Sequence, residues 1–202
     1  MSMTRKLVLG TAMLFGASTF QTSIAGPAAQ EPAKPTTPPT PETKMFDDWG
    51  YRCDKQEGAE TEVCRIQQTA TLNPQGQRLM QTEVRHVPGN PNPVAIFTVP
   101  LGILLPAGVE LSVPGVDPVR IIVQRCDMNG CVAVFALEPR YLDAMKKAES
   151  GQVSFQDVQQ RPVKVPLSLK GFGNALAALD EAKKKAEKQA ADAAAKKGDK
   201  KK

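Results

Sequence analysis

The chain has 202 residues and a formal net charge of +5, with four cysteines, one histidine and 17 prolines. Nine lysines stand against four acidic residues in segment 181–202, whereas segment 26–180 carries a net charge of −2. A near-neutral body excludes the basic surface of a nucleic-acid-binding domain, so no nucleic-acid partner is expected. The length corresponds to one ordinary domain with appendages.

The N-terminal segment has the pattern of a secretory signal peptide. Two basic residues precede an apolar run from Leu7 to about Phe20, and Ser23 and Ala25 are small enough for cleavage after Ala25. The alternative is a membrane anchor, which needs about 20 apolar residues, and this run is shorter and interrupted. We therefore predict a signal peptide at 1–25 and an exported protein.

Residues 26–44 form a proline-rich segment, with six prolines and almost no apolar side chains. Such a composition cannot bury enough surface to fold and predicts an extended linker. The alternative is that it serves as a proline-rich ligand for a groove-forming partner.

Order is predicted to begin near Met45. The first strand is rich in aromatic residues and leads to Cys53, and Trp49 is expected to be a core residue. Segments 63–72 and 77–87 are predicted to form a hairpin, because the residues between them, Asn73-Pro74-Gln75-Gly76, favour a turn. Segment 87–94 contains three prolines and a glycine and is expected to be an exposed loop.

The most apolar stretch runs from Val94 to Leu137. The strand Val94–Val99 stops at Pro100, and after a short buried run the residues at 109, 111 and 113 alternate with polar ones, as in a strand with one wet face. Segments 119–125 and 132–137 are predicted to pair as the last hairpin of this stretch.

The cysteines select the register of that hairpin. A two-residue Asn-Gly turn would pair Met128 with Cys131. A four-residue loop, 127–130, instead places Cys126 opposite Cys131, where the two Cβ atoms come within reach of a disulfide. We predict the second register and a Cys126–Cys131 bridge.

The C-terminal part returns to mixed patterns. A helix is predicted from Glu138 to a stop at Gly151, followed by strands at 153–158 and 163–169. A second helix begins at Asn174, and beyond Asp180 it contains no apolar side chain larger than alanine. The Lys/Ala-rich tail 181–202 is therefore expected to be helical by propensity and to fray away from the body.

About nine short β segments and one inserted helix predict an all-β sandwich or barrel-like domain at 45–180. Export to an oxidising compartment favours disulfides. Adjacent pairing, Cys53–Cys64 with Cys126–Cys131, is the predicted connectivity, and the crossed alternatives stay open.

Several local patterns coincide in order and spacing. They are Asp48-Trp49 before Cys53, Cys64-Arg65-Ile66-Gln67, the run from Val99 to Val109 (VPLGILLPAGV), Asn129-Gly130-Cys131 after Cys126, and the run from Leu167 to Phe172 (LSLKGF). Over about residues 45–179 this set resembles the invasion-associated locus B family of Gram-negative bacteria. The resemblance implies an exported immunoglobulin-like β-sandwich, periplasmic, secreted or on the cell surface, and brings no catalytic residues with it. In pathogens the family name comes from a role in host-cell entry.

Few residues suggest catalysis or metal binding. His86 is the single histidine, and no serine lies in a nucleophile elbow, so His86 is expected at the surface near a strand end. The cysteine spacing suits neither a zinc knuckle nor a Cys-x-x-Cys redox motif. Ser168 and Lys170 are two residues apart rather than three, and they are expected to face outward while Leu167 and Leu169 face inward. No catalytic residue, metal or cofactor is predicted.

The sequence therefore predicts a non-enzymatic, exported β-sandwich that binds a host-cell or envelope component of unknown identity. The alternative is a periplasmic structural or envelope-maintenance protein with no host role, and a thiol-redox enzyme is a weaker third reading. The lysine-rich tail is expected to be a solvated appendage that contacts anionic surfaces weakly at most.

Overall fold

The computed structural model describes residues 42–55, 62–72 and 76–199. The predicted signal peptide, nearly all of the predicted linker and the first three residues of the predicted turn 73–76 lie outside these residues. The first described strand begins at Lys44, the last residue of the predicted linker.

Eleven strands in the described part of the chain form two antiparallel sheets. Sheet 1 has the spatial order β1 (Lys44–Phe46), β2 (Trp49–Lys55), β3 (Glu62–Thr71), β4 (Arg78–Arg85), β5 (Val94–Val99), β9 (Gly130–Ala136) and β8 (Val123–Asp127). Sheet 2 has the order β11 (Pro162–Ser168), β10 (Ser150–Gln156), β6 (Val109–Ser112) and β7 (Val119–Ile121). Two helices, α1 (Pro139–Lys147) and α2 (Phe172–Asp199), complete the domain. The expected β-sandwich is confirmed.

One hydrophobic core is built from the inner faces of both sheets. On β4, Met80, Thr82 and Val84 are buried while the residues between them are not, which is the alternation of a strand with one wet face. Val109 and Leu111 of β6 are buried in the same cluster, as the sequence pattern predicted. Trp49 is fully buried there, which confirms it as a core residue.

The predicted strand 119–125 is divided between the two sheets. Its first part, β7, pairs with β6 in sheet 2, and its second part, β8, pairs with β9 in sheet 1. Ile122 lies at the crossing with 78% of its surface exposed. A chain that crosses between sheets interrupts its own alternation, so periodicity alone could not locate the break.

The segment between β5 and β6 also belongs to the core. Ile103 is buried and pairs with Asp157, and a 3-10 turn at Leu105–Ala107 follows. Gly108 then has a φ of 71°, and a Cβ there would lie 2.6 Å from the carbonyl oxygen of Ile121. The glycine therefore permits β6 to start against β7.

The two sheets are tied together at the end of β11. The Trp49 indole N–H donates to the Ser168 carbonyl oxygen over 3.0 Å, and the Gln68 amide donates to the same oxygen over 2.7 Å. The Ser168 N–H in turn donates to Gln68 Oε1, and its hydroxyl donates to Asp48. The backbone of Ser168 therefore bridges the sheets, because a strand-end carbonyl needs hydrogen-bond donors. Leu167 and Leu169 are buried as predicted, and the Ser168 side chain between them is half-buried and bonded to Asp48. Lys170 is exposed, as expected.

Helix α1 is shorter than predicted. It ends at Lys147, Ala148 is extended, and Gly151 lies inside β10 rather than at a helix terminus. A Cβ at Gly151 would lie 3.0 Å from the Ser112 carbonyl oxygen of the neighbouring strand. The glycine reflects close strand approach and not a helix cap.

Helix α2 begins at Phe172, two residues before the predicted start, and runs unbroken to Asp199. Its anchors are Phe172, Ala175, Leu176 and Leu179, all buried in the core. The Phe172 ring meets Trp49 edge-on at a centroid distance of 5.2 Å. None of the helices among the described residues has the length and apolar character needed to span a membrane.

Candidate binding groove beneath helix α2

The distal part of α2 lies over sheet 1 without filling the space beneath it. Ala182 and Ala186 are half-buried, and from Glu187 to Asp192 the side chains are exposed. Alanine is too short to fill the space over the sheet, so a cavity remains on each side of Ala182 and Ala186. We call these two cavities, together with the alanines between them, the α2 groove. The tail was expected to fray, but its first turns are held against the body.

The larger opening, here called the apolar cavity, has a volume of about 700 Å³. Its walls are mostly apolar and come from β3, from the loop after β4 and from α2, with Val63, Val87, Pro88, Pro91, Leu179, Ala182, Ala186 and Ala190 among them. Ligand pockets in proteins are typically concave, mostly apolar and of about 300–1,000 Å³. The predicted exposed loop 87–94 thus provides one wall of a pocket.

His86 closes one end of the apolar cavity. Its Nε2 lies 2.7 Å from Asp180 Oδ1 of α2, and the side chain is only 15% exposed. The expectation of a surface histidine is therefore wrong. The contact joins the end of β4 to the helix and fixes the position of α2 where its apolar anchors stop.

The second opening, here called the tyrosine cavity, has a volume of about 540 Å³ and lies on the other side of Ala182 and Ala186. Tyr51, Cys53 and Cys64 are among the residues that line it. The Tyr51 hydroxyl is 3.0 Å from Cys53 Sγ and 3.6 Å from Cys64 Sγ. Burial and, to a lesser extent, the charge of Glu62 raise the pKa of Tyr51, so the hydroxyl keeps its proton.

The rim of the groove carries charges of both signs. Lys183 and Glu187 pair along α2 at 3.9 Å, and Glu62 lines both cavities. The exposed residues of α2 include Lys184 and Lys188 but also Glu181 and Asp192. The rim therefore does not form a field of one sign. The apolar cavity offers mainly apolar contacts, whereas Lys44, Lys55 and Lys185 are among the residues that line the tyrosine cavity.

Part of the outer face of sheet 1 is covered by paired charges. Its charged side chains form a ladder across three strands, in which Arg65 contacts both Asp54 and Glu83, and Arg52 and Arg85 each pair with one of these acids. These charges are satisfied by one another, which is the usual arrangement on a solvated sheet face.

Both predicted disulfides are present, Cys53–Cys64 and Cys126–Cys131, and no cysteine is free. Facing residues on adjacent antiparallel strands carry each pair. The predicted register of Cys126 is confirmed, but the loop is a two-residue turn rather than four, because Asp127 and Gly130 also pair. Met128 lies at the tip of that turn and is 97% exposed.

Only some of the histidine and cysteine residues considered in the sequence lie close together in the structure. The described residues hold no group of three or more His, Cys, Asp or Glu side chains that could bind a metal ion. His86 and the Cys53–Cys64 pair border the same groove, whereas Cys126 and Cys131 lie at a remote hairpin. Sequence analysis missed Tyr51 and the groove itself, although alanines at 182, 186 and 190 recur at helical spacing.

A family model described as "Invasion associated locus B (IalB) protein" matches residues 49–180, more than half of the chain. The chain belongs to the invasion associated locus B family. The match ends at Asp180, so Ala182 and Ala186, the two alanines between the cavities, lie beyond it.

Two curated relatives of this invasion associated locus B protein are invasion protein B homologs of Brucella abortus, from strain 2308 and from biovar 1 strain 9-941. Each is 27% identical over 134 residues, which cover 66% of this chain and 76% of the relative. The crystal structure of invasion associated protein B from Bartonella henselae matches with a TM-score of 0.62 at 23% identity, covering 71% of this chain and 98% of that one. This likeness shows the fold.

Proposed function

We propose that this member of the family is an exported, non-enzymatic binding protein whose α2 groove receives apolar side chains of a protein partner on a host cell or in the bacterial envelope. The observation that carries the proposal is the apolar cavity of about 700 Å³, bounded by β3 and the loop after β4 on one side and by α2 on the other. Apolar surface that a partner buries there contributes about 25 cal/mol per Å², so two or three aliphatic side chains suffice for a specific contact.

Export is supported by the predicted signal peptide and by two disulfides, which form and persist outside the cytosol. The two relatives of this chain from Brucella abortus are named as invasion protein homologs. A role at the host-facing surface is therefore the first use proposed for the groove, and envelope maintenance without a host role is the second.

Filling the groove tests the proposal. The variant Ala186→Leu places a larger side chain between the two cavities, because Ala186 lines both. The matched control is Ala177→Leu, on an exposed position of the same helix. Labelled wild-type and variant proteins are incubated with cultured mammalian cells and, separately, with isolated outer membranes.

We expect Ala186→Leu to weaken binding at least tenfold while Ala177→Leu binds like wild type, with both variants melting like wild type. Equal binding by the three proteins would refute the groove as the binding site. Binding to membranes without binding to cells favours the envelope role. Protease treatment of intact bacteria that leaves the protein uncut also argues against a host-facing position.

A further inference from the structure

The two disulfides differ in what surrounds their sulfur atoms. Cys53 and Cys64 are both half-buried and line the tyrosine cavity, and Cys64 lines the apolar cavity as well. In the other bridge Cys126 is exposed, but Cys131 is 2% exposed and belongs to the hydrophobic core. The first pair therefore consists of two half-buried cysteines that border open space, whereas the second joins an exposed cysteine to a core cysteine.

A hydrogen-bond donor is present at the first pair. A disulfide sulfur carries no proton, so the Tyr51 hydroxyl is the donor in its contacts with Cys53 and Cys64. The contact with Cys53 is the shorter, at 3.0 Å. Among the hydrogen bonds of the described residues, those of Tyr51 are the ones that end on a disulfide sulfur. An O–H donor favours negative charge on the sulfur that it contacts.

Thiol–disulfide exchange requires one sulfur to be attacked and the other to leave as a thiolate, and a stabilised thiolate leaves faster. Cys53 can leave as a thiolate beside the Tyr51 hydroxyl. Cys64 borders both the tyrosine cavity and the apolar cavity. At the second bridge, attack on the exposed Cys126 would release Cys131 as a thiolate inside the apolar core, where charge is strongly disfavoured.

We propose that Cys53–Cys64 is an exchangeable disulfide that reacts with a dithiol, such as the Cys-x-x-Cys pair of an exported thiol–disulfide oxidoreductase, with Cys64 as the attacked sulfur and Cys53 as the leaving group. This goes beyond the proposed binding function. Of the two disulfides, Cys126–Cys131 is the structural one that does not exchange.

The exchange proceeds in two displacements. A thiolate of the dithiol attacks Cys64 Sγ and forms a mixed disulfide, while the electron pair of the broken S–S bond goes to Cys53 Sγ, which Tyr51 stabilises. The second thiol of the dithiol, deprotonated, attacks its own partner sulfur and releases Cys64 as a thiolate. The dithiol is oxidised to a disulfide, and its two protons balance the two thiolates formed on this chain.

The test follows each disulfide separately under native conditions. Full-length protein is treated with dithiothreitol, samples are quenched with N-ethylmaleimide at intervals, and peptide mass spectrometry quantifies the alkylation of each cysteine. The variant Tyr51→Phe removes the donor and keeps the ring. The control Tyr141→Phe removes a hydroxyl that donates to the Asp117 carbonyl oxygen, away from both bridges.

We expect Cys53 and Cys64 to be alkylated while Cys126–Cys131 remains oxidised. We expect Tyr51→Phe, but not Tyr141→Phe, to slow reduction of the first pair about tenfold, the effect of one charge-assisted hydrogen bond partly developed in the transition state. Equal reduction of both pairs, or a rate unchanged in Tyr51→Phe, would overturn the proposal.

A trapping experiment identifies the attacked sulfur. An oxidoreductase with its resolving cysteine replaced by serine cannot complete the second displacement and stays attached to this chain. We expect the mixed disulfide at Cys64, and attachment at Cys53 or at Cys126 would contradict the assignment.

Discussion

Gly171 links β11 to helix α2, and its replacement by alanine should be one of the most destabilising single-methyl changes in the protein. Its φ is 79°, a region that costs an L-residue about 1–2 kcal/mol. A Cβ there would lie 2.1 Å from the carbonyl oxygen and 2.6 Å from the carbonyl carbon of Phe46. Backbone atoms cannot rotate away as a side chain can, so β1 must shift or detach.

The free-energy cost of this close contact can be estimated from the interactions that are lost when β1 detaches from β2. This strand has three residues, pairs with β2 at the edge of sheet 1 as described, and holds the half-buried Phe46 against the core. Exposing that ring costs about 1–2 kcal/mol, and the lost strand pairing adds about 1 kcal/mol. We therefore expect Gly171→Ala to lower the free energy of unfolding by about 3–5 kcal/mol.

Gly102→Ala is the matched control. Gly102 has a φ of 85°, but a Cβ there would have no other atom within 4 Å. Gly102→Ala should lower the free energy of unfolding only by the cost of the backbone conformation, about 1–2 kcal/mol. Urea unfolding followed by tryptophan fluorescence measures both, since Trp49 is buried beside Phe172. Equal losses in the two variants would show that the close approach to Phe46 carries no energy.

Three further changes are predicted. Deleting residues 181–202 removes two half-buried alanine contacts and should cost about 1 kcal/mol, a fall in Tm of about 4 °C in calorimetry. Phe172→Ala removes a fully buried ring and should cost about 3–5 kcal/mol in urea unfolding. The backbone N–H and side chain of Arg161 hold the pKa of Asp157 below 3.8. The unfolded chain therefore takes up that proton at a higher pH, so stability is present above about pH 4 and declines below it. The stability difference between Asp157→Asn and wild type should shrink as the pH falls from 5 to 2.

Much of the sandwich was predictable because its signals are local. The alternation around Val109 and Leu111 fixes which face of β6 is buried, and facing positions on two strands bring Cys126 opposite Cys131. The division of the strand at Ile122 between two sheets depends on tertiary packing, which no short window contains. The same holds for Ser168, whose carbonyl oxygen is bound by side chains about 100 residues away.

The groove was not predictable for a different reason. Its cavities exist because Ala182 and Ala186 are too small to fill the space over Tyr51 and Val63, and emptiness leaves no signal in composition. The tail beyond Asp180 was expected to fray because it lacks large apolar residues. Its helical state was predicted from alanine propensity, and pairs such as Lys183 with Glu187 add to it without a core. The part that differs is the half-buried position of Ala182 and Ala186 over sheet 1.

The bridge from Cys126 to Cys131 encloses the exposed turn that carries Met128 in a small covalent ring. A protease that cuts inside this ring hydrolyses one peptide bond but cannot separate the two fragments. The nicked molecule should migrate as one species until a reducing agent is added, and β8 should stay joined to β9. The most accessible point of the hairpin is thereby also one at which the chain can be cleaved without coming apart.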